Sequence, residues 1–164
     1  DLGPAVSANR MLRDYVNQLY RPAGQSGRAA SANGYAAAKE LAEWITRIRD
    51  GWSAVSVEHV DSIGITDDPQ IGDHLNVQAY VSLGSLRPED VSVEVAYGKA
   101  LENDHLEDPR TAELVQTEDL GSGRHLFSGT IGIEQAGPFG YTVRVLPVHS
   151  GLASKAELGL VANA

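Results

Sequence analysis

Five histidines, His59, His74, His105, His125 and His149, are the side chains best suited to move protons near neutral pH. Metal binding or proton relay would need partners at set spacings. Each of the five stands alone, with no His-Glu-x-x-His or His-x-His pattern, so structural and surface positions account for them. Ser150 follows His149, but the strained Gly-x-Ser-x-Gly turn of a serine nucleophile does not occur. Glu102, Asp104, Glu107 and Asp108 could offer oxygens to calcium, yet they lack the Asp-x-Asx-x-Asx-Gly order and the closing Glu of a calcium loop. They read as a solvated hairpin loop. Gly121-Ser122-Gly123 has no third glycine in place and opens no helix, which makes it a turn and not a phosphate cradle.

Flat aromatic rings offer binding chemistry instead of bond making. Trp44, Trp52, Tyr80 and Tyr97 could stack on the apolar faces of sugars. Trp44 suits helix packing and Trp52 suits the approach to the first strand, because tryptophan is usually buried. Tyr80 falls on the polar side of its strand and is the one aromatic singled out as a glycan contact. No residue is assigned a catalytic, cofactor-binding or metal-ligating role.

The elements that would position these residues are mostly strands. Leu75, Val77, Ala79, Val81 and Leu83 alternate with Asn76, Gln78, Tyr80 and Ser82, the period of a strand with one buried face. Val91, Val93, Val95 and Tyr97 repeat the pattern after a link carrying Gly84, Pro88 and Asp90. That link is too short for a crossover helix, so the two are expected to form an antiparallel pair. Further strands are expected over 54–60, 113–120, 126–133, 141–146 and 157–161, with turns at Asp67-Asp68-Pro69, Leu86-Arg87-Pro88, Gly121-Ser122-Gly123 and Gly137-Pro138. With no helical pattern between them, the expected fold is mainly β, an antiparallel immunoglobulin-like β-sandwich preceded by two α-helices. The immunoglobulin hallmark of Cys, Trp and Cys is absent, so the likeness is architectural.

Ser7 can cap the first helix, whose apolar stripe is Met11, Leu12, Tyr15, Val16, Leu19 and Tyr20 and which Pro22 stops. After a connection over 23–34, Asn33 can cap the second. There Ala37, Leu41, Trp44, Ile45 and Ile48 share one side while Lys39, Glu40, Glu43, Arg47 and Arg49 face water. Both stripes need a further surface, either the sandwich or a partner. The organisation expected is a two-helix segment over 1–51 and a β-sandwich domain over 52–164.

At 164 residues the chain can bury roughly 70% of its unfolded surface and so needs no staple. A net charge of −9 argues against nucleic acid, where affinity rests on clustered Lys and Arg, and against acidic membrane surfaces. Cysteine is absent, which excludes disulfides and Cys-ligated zinc; that leaves the compartment open, although a large core without staples is common in cytosolic proteins, and a cytoplasmic location is the expectation. No apolar run is long enough to span a bilayer and no basic-then-apolar signal peptide is present. The start at Asp1 without a Met suggests a fragment or a processed product.

Residues 9–22, NRMLRDYVNQLYRP, resemble the last helix of the catalytic region of α-glucan (glycogen and maltodextrin) phosphorylases, with Arg10, Met11, Tyr15, Tyr20 and Pro22 in the family's places. The remainder is similar to the C-terminal extension of the bacterial branch of that family. Ala42-Glu43-Trp44 and Gly51-Trp52-Ser53-Ala54-Val55 resemble its Trp-bearing helix. Leu83-Gly84, Pro88-Glu89-Asp90-Val91, Val93-Glu94 and the run FGYTVRVLP over 139–147 resemble its sandwich. The resemblance implies a parent glycosyltransferase that uses phosphate to release glucose 1-phosphate from an α-1,4-glucan, with pyridoxal phosphate assisting proton transfer.

That chemistry needs a Schiff-base lysine and basic residues around phosphates. Lys39, Lys99 and Lys155 are the only lysines, and none has the family's cofactor-lysine context. The expectation is therefore a non-catalytic structural domain, without cofactor of its own, that docks on the catalytic region of a phosphorylase. The rival readings are an autonomous carbohydrate-binding or protein-interaction module, in which Tyr80 would meet α-glucan, and an independent small enzyme built on the scattered histidines.

Overall fold

Alternation of apolar residues along the strands is what closes the core, and the computed structural model, which describes residues 35–64 and 69–164, shows where each strand goes. Among the described residues one helix, α1 (Ala36–Gly51), runs through a 3-10 turn at Trp52–Ala54 into seven strands. These are β1 (Ser56–Ile63), β2 (His74–Ser82), β3 (Val91–Ala100), β4 (Leu106–Gly121), β5 (Arg124–Gly132), β6 (Phe139–Pro147) and β7 (Ala162–Asn163). The helix expected after Ser7, the connection over 23–34, the Asn33 cap and Asp67 and Asp68 lie outside the described residues.

The protein is mainly β and antiparallel throughout, but its strands form one sheet in the order β1-β2-β5-β4-β3-β6-β7. This corrects the expectation of an immunoglobulin-like sandwich of two separate sheets. The reason is the length of β4. Its first half, up to Leu114, pairs with β3, and from Val115 onward it pairs with β5. A single 16-residue strand therefore serves both halves, and the sheet curls until β1 touches β6 and β7.

A second correction concerns β2 and β3, which do not pair with each other. β2 lies between β1 and β5, and β3 lies between β4 and β6. The short link instead carries the chain from one half of the curled sheet to the other through a 3-10 turn at Pro88–Asp90. The seventh strand is also displaced: 157–161 is turn and coil, and a two-residue β7 follows it.

Inward residues of the two halves meet in one core. Val77, Ala79 and Val81 of β2, Val95 of β3, and Val143 and Val145 of β6 are fully buried, with Leu75, Phe127, Ile131 and Leu114 beside them. Each of the valine, leucine, isoleucine and phenylalanine side chains contributes about 1.5–3 kcal/mol by leaving water. The apolar stripe of α1 finds its surface on this sheet, since Trp44 and Ile48 are buried in the same cluster and Leu41 and Ile45 pack against it.

Candidate functional site

Polar groups in this fold concentrate in four places, and their geometry separates those that hold the chain together from those that face outward. The first is Asp90, which ends the link between the halves and is buried. Its Oδ1 accepts from Trp44 Nε1 at 2.9 Å and from Arg47 Nη2 at 2.9 Å, while Oδ2 accepts from the Arg87 amide at 3.1 Å. The Asp90 carbonyl accepts from the Val148 amide at 2.9 Å. One residue thus ties α1, the link and the chain after β6. Burial would raise the Asp90 carboxyl, but the Arg87 amide, the Trp44 indole and the Arg47 guanidinium outweigh it and hold the pKa below the ordinary value.

The second place is Glu94, buried on the outward side of β3 beneath the segment that follows β6. Lys155 Nζ donates to Glu94 Oε1 at 2.6 Å and to Ser92 Oγ at 2.7 Å, and Arg144 Nε and Nη2 donate to Glu94 Oε2 at 3.2 and 3.1 Å. Burial would again raise the carboxyl. Lys155 first and Arg144 second lower it below the ordinary value, so the carboxylate is held as the anion between two cations. Such a fully paired cluster anchors the C-terminal segment. It leaves no lone pair poised for proton transfer.

The third place is the outer face of β1 and β2, where the sequence points to Tyr80. Its ring is half-buried and lies 5.9 Å from the His59 ring, and His59 Nε2 is 2.7 Å from Asp61 Oδ1. Tyr80 is directed outward, on the face opposite Val81, among the polar side chains of its strand. The other histidines are dispersed. His125 is buried with Nδ1 3.0 Å from Gln116 Nε2, His149 stacks on Trp44 with ring centroids 4.7 Å apart, and His105 sits in a turn against the Asn103 carbonyl. His149 Nδ1 accepts from the Gly151 amide and does not activate Ser150.

The fourth place is a pocket at the open end of the curled sheet, formed where β3 and β4 bulge and the chain leaves β5. Tyr97 and Phe139 form its apolar wall, and Lys99, Asp108, Arg110 and Glu134 its rim. The Tyr97 and Phe139 centroids are 6.3 Å apart, and Tyr141 continues the row 6.4 Å from Phe139. Arg110 pairs with Glu134, and Lys99 with Glu107 at 3.2 Å. Sequence reasoning named Tyr97 as a stacking ring but missed the pocket, because its walls come from residues about 40 apart that only the β3–β6 register places side by side. The acidic run over 102–108 divides between a turn and the start of β4 and supplies Asp108 to this rim.

Lysine placement bears on cofactor chemistry. Lys39 lies on the exposed face of α1 beside Glu43, Lys99 on the pocket rim, and Lys155 in the Glu94 cluster. Among the described residues no group of three or more metal-ligating side chains converges, and no helix is long and apolar enough to cross a membrane.

Comparison with known proteins adds the context. The family model described as the glycogen phosphorylase C-terminal domain matches residues 52–164. Glycogen phosphorylase of Mycobacterium bovis is 45% identical over 160 residues, as is that of Mycobacterium tuberculosis H37Rv, and maltodextrin phosphorylase of Thermococcus litoralis is 32% identical over 163. Each alignment covers 98% of this chain, and the chain spans 18% of the length of these relatives. Among solved structures, the Pseudomonas fluorescens alkylpurine DNA glycosylase AlkC aligns with 18% identity and a TM-score of 0.36, over 70% of this chain and 32% of that one. That likeness is too slight to carry an argument.

Proposed function

The chain belongs to the glycogen phosphorylase C-terminal domain family, and from that premise we propose that it is the non-catalytic structural part of an α-glucan phosphorylase-like glycosyltransferase. In this reading residues 52–164 are the C-terminal β-domain, and 1–51 hold the end of the catalytic region and the connecting helix. The parent enzyme transfers a glucosyl unit from the non-reducing end of an α-1,4-glucan to phosphate in the cytoplasm. Pyridoxal phosphate belongs to the catalytic region, which is the partner of this domain.

The observation that carries the reading is the match along nearly the whole chain to enzymes of which it spans 18%. The polar chemistry supports it. The buried carboxylates of Asp90 and Glu94 are consumed in internal ties. The three lysines do not fit a pyridoxal cofactor: Lys155 is held by Glu94 and Ser92, Lys99 pairs with Glu107 at the surface, and Lys39 is on the water side of its helix with four-fifths of its side chain exposed. No step of the transfer is assigned to this chain.

The test is direct. Incubated with maltoheptaose and inorganic phosphate, the pure 164-residue chain releases no glucose 1-phosphate; steady turnover would overturn the reading. A second reading, in which the domain also contacts α-glucan, is favoured by the outward, half-buried placement of the Tyr80 ring on the polar face of β2.

A further inference from the structure

We propose that the free edge of β4 over 115–121 is a docking site for an extended, Lys- or Arg-bearing segment of the catalytic region, which adds to the sheet as one more strand. The proposal rests on the reading that this chain is part of a larger phosphorylase, and it names the surface by which the chain is held.

The edge exists because β4 outlasts its partner. β3 begins at Val91, directly after the 3-10 turn that the Asp90 ties hold in place, and its last pair with β4 is Val93 with Leu114. From Val115 to Gly121 the strand pairs with β5 alone, and no other described strand bonds its second side. All seven residues are exposed, Val115 by 66% and Leu120 by 37%. The outer strands of the sheet are not open in this way, since β1 lies against β6 and β7, and β7 has two residues. An uncovered edge is a template for a further strand: main-chain bonds supply affinity, and side chains at alternate positions supply selectivity.

Charge decides the occupant. No Lys or Arg occurs between Arg110 and Arg124, whereas Glu113, Glu118 and Asp119 do. Glu118 has no ion-pair partner among the described residues, and Asp119 stands 3.8 Å from His125 Nδ1 with two-thirds of its side chain exposed. A second copy paired across this edge sets carboxylates against carboxylates, which destabilises a strand pair. Register shifts between Gln116 and Glu118 and between Asp119 and Gly121 add local twist, a device that keeps an edge from pairing with its own kind. A segment with Lys or Arg at alternate positions turns the same carboxylates into cross-strand partners, while Val115 and Leu120 meet its apolar residues. The chain spans 18% of the relatives' length, and a segment joined covalently to it reaches the edge at high effective concentration.

Hydrogen–deuterium exchange tests the assignment, on this chain alone and on its complex with the co-expressed catalytic region of the proposed parent. Slower exchange over 115–121 in the complex is the expected result. Glu118→Lys, an exposed change that leaves the urea midpoint of the chain in place, weakens the complex about fivefold when its dissociation on dilution is followed by sedimentation, the weight of an attractive cross-strand charge pair made repulsive. Added salt weakens the unmutated complex in the same sense. A complex that forms while exchange over 115–121 is unchanged overturns the edge assignment and leaves the structural reading standing. Protection of 115–121 that grows with the concentration of the chain alone makes the occupant a second copy, and undiminished association of Glu118→Lys removes the basic segment; either result overturns the proposal. Absence of any complex overturns it together with the structural reading.

Discussion

Asp90 shows what a single residue does in this domain. Its carboxylate is the shared acceptor for the helix, through Trp44 and Arg47, and for the link, through the Arg87 amide. Replacing it by alanine strands the buried Trp44 indole N–H and removes the partner of Arg47, a loss of about 2 kcal/mol. Urea unfolding should show that loss as a lower midpoint with an unchanged slope. The pH dependence follows in sign. Folded Asp90 and Glu94 are more acidic than their unfolded forms, so their contribution is complete above the ordinary carboxylate range, about pH 4, and is lost as pH falls through and below it. Unfolding free energy measured from pH 7 to pH 3 should fall on that limb, and Asp90→Asn should flatten it. Neither carboxylate stands out in sequence, because the Trp44, Arg47, Arg144 and Lys155 side chains that pair with them lie 43 to 61 residues away along the chain. Tyr80 and Trp44 were legible, since strand parity and helix spacing alone send one outward and the other inward.

At the scale of elements, period-two patterning locates β2 to within a residue at each end, because its inward face is fully buried, and finds the valine-rich parts of β3 and β6 but not their half-buried ends at 98–100 and 139–140. β4 was read from 113 although it begins at Leu106, since its first half is largely exposed and charged and shows no alternation. The stretch 157–161 alternates, with Leu158 and Leu160 packed on the core, but Gly159 has a φ of 66° and the segment runs as turn and coil. The pairing of β2 with β3 failed because a short link serves equally for a hairpin and for an arch between halves. The arch is held by a contact between turns: Leu83 N donates to the Gly123 carbonyl at 2.7 Å, and a Cβ on Gly123 would lie 2.3 Å from the Gly84 oxygen. Gly123→Ala should therefore lose about 3 kcal/mol, from overpacking added to its left-handed φ of 75°. Gly121→Ala has a similar φ of 77° but open space around its Cβ, and should lose only about 1 kcal/mol. Equal midpoint shifts for the two would remove the contact from the account.

Over the described residues the molecule is a curled sheet with a helix packed on its core and a C-terminal segment tied to β3 by Lys155. Its antiparallel character was legible from the absence of helical spacing between strands. Its closure as one sheet was not, because that depends on β4 changing partners between Leu114 and Val115, a change no local pattern records. Resemblance in short motifs located the family, and the match over 52–164 bears it out. The proposed structural role is tested by co-expressing this chain with the catalytic region of the proposed parent phosphorylase and assaying both the complex and the catalytic region alone. Co-elution as a stable complex, with turnover of maltoheptaose and phosphate that survives heating better than that of the catalytic region alone, is the predicted result. Failure to associate, together with full activity and undiminished thermal stability of the catalytic region by itself, would contradict it.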